Sequence, residues 1–262
     1  MNAFVPLATQ VPVLDVQRLG FSYTPEARIF DDISLSIQPS EIVVLLGGSG
    51  CGKSSLLKVL AGLQVPSVGQ VSFSGQAMDK PHPRSALIFQ QASLLPWLRV
   101  EDNIGFGLDF KHQPDLSREL HRERVSEALT AVGLQHRKRA WPSELSGGQA
   151  QRIALARALA KQPELLFADE PFSALDAITR TEMQQLLVNL VRRWNTAVLL
   201  VTHDIDEAIA VADRIILMGG QPGKIVQQWQ VPLQHPRTEH AAAALSLRQD
   251  ILGYLNRTVT VQ

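Results

Sequence analysis

The sequence predicts an α/β protein: a mainly parallel sheet, an antiparallel β segment at the N-terminus and an inserted helical segment. Three observations predict it. Short apolar runs of strand length recur along the chain, with helical patterns between them. The runs "IVVLL" (42–46), "ALIF" (86–89), "LLFA" (165–168), "AVLLV" (197–201) and "RIILM" (214–218) are nearly continuous in Val, Ile and Leu, as strands buried on both faces are. By contrast "VLDVQRLGFSY" and "ISLSI", within 11–37, alternate polar and apolar residues, the pattern of strands wet on one side.

Taken in order, residues 11–37 give antiparallel strands, and 42–46 the first buried strand. Helices fit at 54–61, 177–194 and 205–212, so strand and helix alternate. Between 101 and 160 no strand run occurs, and Leu116, Leu120, Val125, Leu129 and Val132 form a helical stripe. The helical subdomain is therefore placed at about 91–160, inside a domain spanning 11–236. The charges of "HRERV" and "HRKRA" read as its solvated face. A pattern at 239–256 reads as a terminal helix in a short extension, 237–262.

Composition narrows the function. The 262 residues carry zero formal net charge, which argues against a general electrostatic grip on nucleic acid. The hydrophobic fraction of 45% allows a sizeable core. One cysteine permits no internal disulfide and suits a reducing compartment. "MNAFVPLATQ" lacks a basic segment followed by an apolar stretch, so no signal peptide is expected. No apolar run approaches the roughly 20 residues that span a bilayer, so any membrane role would come through a partner.

The segment "GGSGCGKSS" follows a buried-type strand and opens an apolar helix. Gly47, Gly52, Lys53 and Ser54 fit the P-loop pattern, and the expected core is of the P-loop NTPase fold class. Glycines let backbone N–H groups of residues 47–55 (Gly47, Gly48, Ser49, Gly50, Cys51, Gly52, Lys53, Ser54, Ser55) curl around phosphate oxygens. Lys53 supplies charge for the β- and γ-phosphates, and the Ser54 hydroxyl is a ligand for Mg²⁺. Cys51 lies near a helix N-terminus, where exposure would lower its pKa; the plainer reading is a small residue that tolerates a tight turn.

Four runs end in polar residues: "ALIFQ" in Gln90, "LLFADE" in Asp169 and Glu170, "AVLLVTH" in His203, and "IVVLLGG" in the P-loop. Ligands of open α/β sheets bind beyond the carboxyl ends of the strands, so these residues meet at one edge. There Asp169 can hold Mg²⁺, Glu170 accept a proton from an attacking water, Gln90 contact metal and water, and His203 touch the γ-phosphate and orient the water.

A second phosphate-binding shape occurs in "ELSGGQAQRIALARAL", where Ser146 caps a long helix. It follows no sheet run, so it need not share the first site's edge. Two molecules packed head to tail could then complete two sites.

"GGSGCGKSS", "FQQ", "LSGGQ", "LLFADEP", "SALD" and "VTHD" occur in the order and spacing of ABC-transporter ATPase subunits, which the chain resembles from about 15 to 220. The resemblance implies that Ser146, Gly147, Gly148 and Gln149 cap the γ-phosphate of ATP held by the partner's P-loop. It implies Asp176 at the dimer interface, Tyr23 stacked on adenine, and Trp97 near a membrane subunit's cytoplasmic helix, the alternative for Trp97 being core packing. "LLPWLRVEDNI", "DEPFSALDAITR" and "THDIDEAIAVADRIILM" resemble the nitrate, sulfonate and taurine importer branch. The expectation is an ATP-hydrolysing homodimer, peripheral on the cytoplasmic face of the bacterial inner membrane. It would be docked on permease subunits and served indirectly by an extracytoplasmic solute-binding protein. The alternative is a soluble ABC-type ATPase acting on nucleic acid or in translation. The helical segment is too short for the coiled-coil insertions of repair ATPases, and the chain has one cassette where translation factors have two. A kinase or GTPase is disfavoured by "LSGGQ", and a module that only grips ATP by the intact Glu170. Ser40, where glycine is usual, Gly48, Ser55 and Ala168 depart from the common pattern without removing a catalytic group.

Overall fold

The computed structural model describes residues 11–259 apart from 26, 111–114 and 236. The N-terminal decapeptide read above for a leader lies outside the described residues.

The chain runs β1 (Leu14–Thr24), β2 (Ala27–Ile37), β3 (Ile42–Gly47), α1 (Lys53–Leu60), β4 (Val68–Phe73), β5 (Gln76–Ala77), β6 (Ser85–Ile88), α2 (Val100–Gly105), α3 (Arg118–Ala131), α4 (Gly147–Ala160), β7 (Leu165–Asp169), α5 (Ala177–Trp194), β8 (Ala197–Thr202), α6 (Ile205–Val211), β9 (Arg214–Gly219), β10 (Lys224–Gln230) and α7 (Ala241–Val259). β1, β2, β4 and β5 form a four-stranded antiparallel sheet in the order β2-β1-β4-β5. The larger sheet has the order β10-β9-β3-β8-β7-β6. Its pairs are parallel except β9–β10.

The continuous apolar runs have the burial their composition demands. Every residue of β3 and β8 is buried. Alternate residues of β3 face different cores: Ile42, Val44 and Leu46 join the helical side, and Val43 and Leu45 join α1 and the antiparallel sheet. Two-sided burial explains why no polar residue interrupts these runs.

The helical stripe holds with one exception. Val125, Leu129 and Val132 are buried and Leu116 packs against them, but Leu120 is 38% exposed. Leu120 lies one turn from the N-cap Ser117, whose Oγ accepts its N–H; at that end the stripe rotates off the core. α2, α3 and α4 pack on one another between β6 and β7. Most of the 121–124 and 136–139 charges lie on the surface, some of them paired, as Lys138 is with Glu101.

Three strands lack a run in the sequence reading. β4, β5 and β10 are amphipathic or very short. The terminal helix begins at Ala241 and extends to Val259, and a 3₁₀ turn, Arg237–His240, precedes it.

Candidate nucleotide site

Parallel order places the carboxyl ends of β3, β6, β7 and β8 on one edge. The loop after β3 is forced by backbone crowding. A Cβ on Gly47 would lie 2.2 Å from the Met218 carbonyl oxygen of β9, and Gly52 has φ +94°. Nothing lies within 4 Å of a Cβ on Gly48, so a bulkier residue there would fit. The first intrahelical bond of α1 runs from Leu56 N–H to Gly52 O. The preceding N–H groups of the first turn are therefore free of helix partners and point to the loop. Gly48, Ser49 and Gly50 are exposed at the loop crest.

Lys53 is 6% exposed, and its Nζ donates to Gly47 O at 2.8 Å and Gly48 O at 2.7 Å. The ammonium thus lies under the cradle on carbonyls that hold it in place. Cys51 is buried, and burial pushes its thiol pKa up in spite of the Lys53 charge. The exposure that would activate it is absent; the side chain is packing, 3.1 Å from where a Gly47 Cβ would stand.

One pair links the P-loop to the β7 end, and a second joins the ends of β7 and β8. Ser54 Oγ donates to Asp169 Oδ1 at 3.0 Å. His203 Nδ1 lies 3.2 Å from Glu170 Oε1; a carboxylate can only accept, so Nδ1 carries the proton and Nε2 stays open. Burial, helped by the Glu170 charge and opposed by the Ser54 hydrogen bond, raises the Asp169 pKa. Glu170 has φ +44° and its N–H donates to Val201 O. A non-glycine residue pays roughly 1–2 kcal/mol for that left-handed conformation, and here it turns the carboxylate from the β7 end toward β8.

Tyr23 is 55% exposed, with its hydroxyl 3.1 Å from Ser55 Oγ. An aromatic face thus stands beside the P-loop. Gln90 is exposed just past β6, its segment pinned from α4. Gln151 Nε2 donates to Phe89 O at 3.4 Å, and Arg157 donates to Ser93 O at 2.9 Å and Ala92 O at 3.0 Å. Sequence reasoning passed over Arg157. The available signal was a lone cation in the otherwise apolar "IALARALA", which demands carbonyl partners.

The 146–149 segment lies elsewhere. Ser146 Oγ accepts the Gln149 N–H and Gln149 Oε1 accepts the Ser146 N–H, each at 3.2 Å, a reciprocal capping box. A Cβ on Gly148 would come 2.6 Å from Thr179 Cγ2 of α5, whose N-cap is Asp176. Hydrogen bonding, from the Thr179 N–H first, holds the Asp176 carboxyl below its usual range. α4 packs on α2, α3 and the edge strand β6. β6 is three ladder steps from β3, about 14 Å at the usual strand spacing. Trp97 is 68% exposed, so core packing does not account for it.

Two hard oxygens 3.0 Å apart, Ser54 Oγ and Asp169 Oδ1, suit Mg²⁺, which takes few protein oxygens and keeps water and phosphate ligands. Among the described residues no cluster of three or more His, Cys, Asp or Glu could hold a metal by itself.

Residues 30–173 match the family model described as ABC transporter. The chain belongs to the ABC transporter family. It is an ATP-binding subunit that hydrolyses ATP. It is 46% identical over 231 residues to aliphatic sulfonates import ATP-binding protein SsuB 1 of Xanthomonas axonopodis pv. citri, covering 87% of this chain and 91% of that one. It is 45% identical over 228 residues to the corresponding protein of Pseudomonas putida, covering 87% and 80%. Among solved structures, cbiO1 of Clostridium perfringens, part of a cbiONQ transporter complex, aligns at TM-score 0.77 and 27% identity over 94% of this ABC subunit and 99% of that chain. A dimeric ATP-binding cassette in a post-hydrolysis state with ADP and Pi aligns at TM-score 0.71 and 31% identity, covering 83% and 98%.

Proposed function

We propose that this subunit powers an importer for aliphatic sulfonates or a similarly small solute such as taurine or nitrate. The observation that carries the reading is the double pairing at one sheet edge, Ser54 with Asp169 and His203 with Glu170, beside a glycine cradle. The sulfonate assignment draws on the names of the relatives. Those names belong to import subunits, and for that reason the nucleic-acid alternative is set aside.

In this reading the 47–55 N–H groups hold the triphosphate, Tyr23 stacks on adenine, and Lys53 leaves its two carbonyls for the β- and γ-phosphates. Ser54 and Asp169, with Gln90, would hold Mg²⁺, which when bound stabilises charge on the transferring phosphoryl group. Glu170 takes a proton from water as the water oxygen bonds the γ-phosphorus and the bond to the β–γ bridging oxygen breaks. His203 keeps Glu170 aimed and offers Nε2 to the γ-phosphate. Ser146, Gly147, Gly148 and Gln149 complete the site of a second copy.

The proposed body is a domain at 11–236, with the helical subdomain at about 91–160 and an extension at 237–262. Permease subunits dock against the helical side near Trp97, holding the homodimer on the cytoplasmic face of the inner membrane. A solute-binding protein outside delivers cargo. Among the described residues no helix is long and apolar enough to cross a membrane.

Glu170→Gln tests the chemistry. Turnover should fall at least about 100-fold, the contribution of a general base, while ATP binding persists; near-normal hydrolysis would remove Glu170 from the role. The cargo is tested by co-purifying the permease and measuring which solutes stimulate ATPase in the reconstituted complex.

A further inference from the structure

Beyond the nucleotide site, one arginine joins two loops that approach it from different elements. Arg180 lies one helical turn past Asp176 on α5. Its Nη2 donates to Leu175 O at 3.1 Å, just before Asp176. Its Nη1 lies 3.4 Å from Asp204 Oδ2, next to His203. The other oxygen of Asp204 caps α6, accepting from Asp206 N–H at 2.8 Å and Glu207 N–H at 3.1 Å. At 3.4 Å the Arg180–Asp204 contact is longer than the 2.7–2.9 Å usual for charge-assisted bonds, so the guanidinium is only loosely seated.

Beside this contact two buried atoms lack partners. Arg180 Nε, a donor, and Glu207 Oε1, an acceptor, are both shielded from solvent without a hydrogen bond. Glu207 is 4% exposed, and the Arg180 charge acts on its carboxyl. A buried donor and a buried acceptor left over in one cluster mark a second arrangement in which they satisfy each other.

We propose that Arg180 is a positioning residue that couples the 173–176 loop to the turn carrying His203, with Asp204 and the buried Glu207 carboxylate as its two seats. Moving from Asp204 to Glu207 draws Leu175 and Asp176 along with α5 relative to α6. His203, one residue from Asp204, is thereby aligned with Glu170 when the 173–176 loop meets a second copy. This rests on the functional reading above, in which Asp176 lies at the seam and His203 acts on the γ-phosphate.

The charged and titratable groups facing Glu207 are Asp204 on α6, Arg180 on α5 and Glu170 after β7, with the Thr202 hydroxyl from β8. Asp206 of α6 is taken up by Arg248 of α7 at 2.8 Å, and β3, also against α6, carries no charge. The acid form of Glu207 gives way to the carboxylate around pH 7, and only the carboxylate makes an ionic seat.

The test uses the purified full-length chain, with steady-state ATPase and equilibrium nucleotide binding for wild type, Arg180→Gln, Glu207→Gln and the double variant. Arg180→Gln should lower kcat about tenfold with KM within about twofold, since ATP contacts are untouched. Wild-type kcat should rise through pH 7 as Glu207 ionises, and Glu207→Gln should remove that rise; a flat wild-type profile overturns the proposal. The double variant should be no worse than Arg180→Gln, because both act through one seat. A kcat for Arg180→Gln within about twofold of wild type overturns the proposal, and so do losses that multiply in the double variant. If Arg180→Gln does not fold, the Glu207→Gln pH profile decides: an inflection unchanged from wild type overturns the coupling. Glu170→Gln is assayed alongside. Retained turnover there defeats the functional reading, whereas lost turnover there with an unaffected Arg180→Gln defeats the coupling alone.

Discussion

Glu207 shows how one buried acid sets a pH dependence of stability. Burial first, then the Asp204 charge, pushes its pKa from the ordinary 4.5 to about 7. The native state therefore keeps a proton that the unfolded chain releases earlier. Stability falls as pH rises from about 4.5 to about 7, with up to ~3 kcal/mol lost above that window. Glu207→Gln removes the titration, so the variant should gain on wild type between pH 5 and pH 8, as urea unfolding at both values would show. An equal difference at the two pH values would contradict this. "DIDEAIA" shows the Asp204 charge but not the larger cause, the burial of Glu207, which other elements packing against α6 impose. The juxtaposition of Asp169, Glu170 and His203, by contrast, follows from strand ends alone. The burial of Cys51 was not legible: it depends on how closely β9 approaches Gly47, a tertiary distance. Ser40 tells a similar story. It has φ +61°, which explains the usual glycine, and its hydroxyl donates to Asn195 Oδ1 at 3.2 Å.

Helix α6 has seven residues and is held at both ends. Asp204 caps its start, and Arg237, 8% exposed, donates to Ile209 O and Ala212 O at its end. Arg237→Met would leave those carbonyls buried without donors. The expected cost is ~2–4 kcal/mol of unfolding free energy with an unchanged urea slope, and a loss under ~0.5 kcal/mol would show that water replaces the guanidinium. Elements with two buried faces or a clear cap were legible, as β3, β8 and α5 are. β10 was not, for a specific reason. Its inward positions are Ile225, Gln227 and Trp229 while Val226 faces out, and the register slips between Ile225 and Gln227. With a glutamine facing in and a valine facing out, the residue types do not follow the burial alternation, and no strand pattern shows in the sequence. Arg237 likewise gave no sign in the sequence, since its partners lie 25 and 28 residues back.

At the scale of the whole molecule, the arrangement of the sheet separates the two phosphate-binding shapes. The P-loop leaves the central strand β3, while α4 rides over the edge strand β6 and leaves Ser146 and Gly147 exposed. A capping box already satisfies the Ser146 and Gln149 N–H groups, yet those of Gly147 and Gly148 have no partner within the helix, and Gly147 is exposed. A helix start that stays open at the surface is built to receive an anion from outside its own chain. ATP would then act as the adhesive between two copies, and dimerisation should depend on residues that the ATP-bound monomer does not use. Ser146→Arg should abolish the ATP-dependent dimer in size-exclusion chromatography, measured in a Glu170→Gln background that keeps ATP intact, while monomer affinity for ATP changes less than about twofold. The arginine projects from a solvent-facing cap, so folding should be spared apart from the lost cap, worth ~1 kcal/mol. If the variant dimerises with ATP as its parent does, the 146–149 segment is an ordinary capped helix start and the seam must be sought on another face. Loss of monomer ATP binding would instead place that segment in the site of its own chain, the outcome that the distance between β3 and β6 argues against.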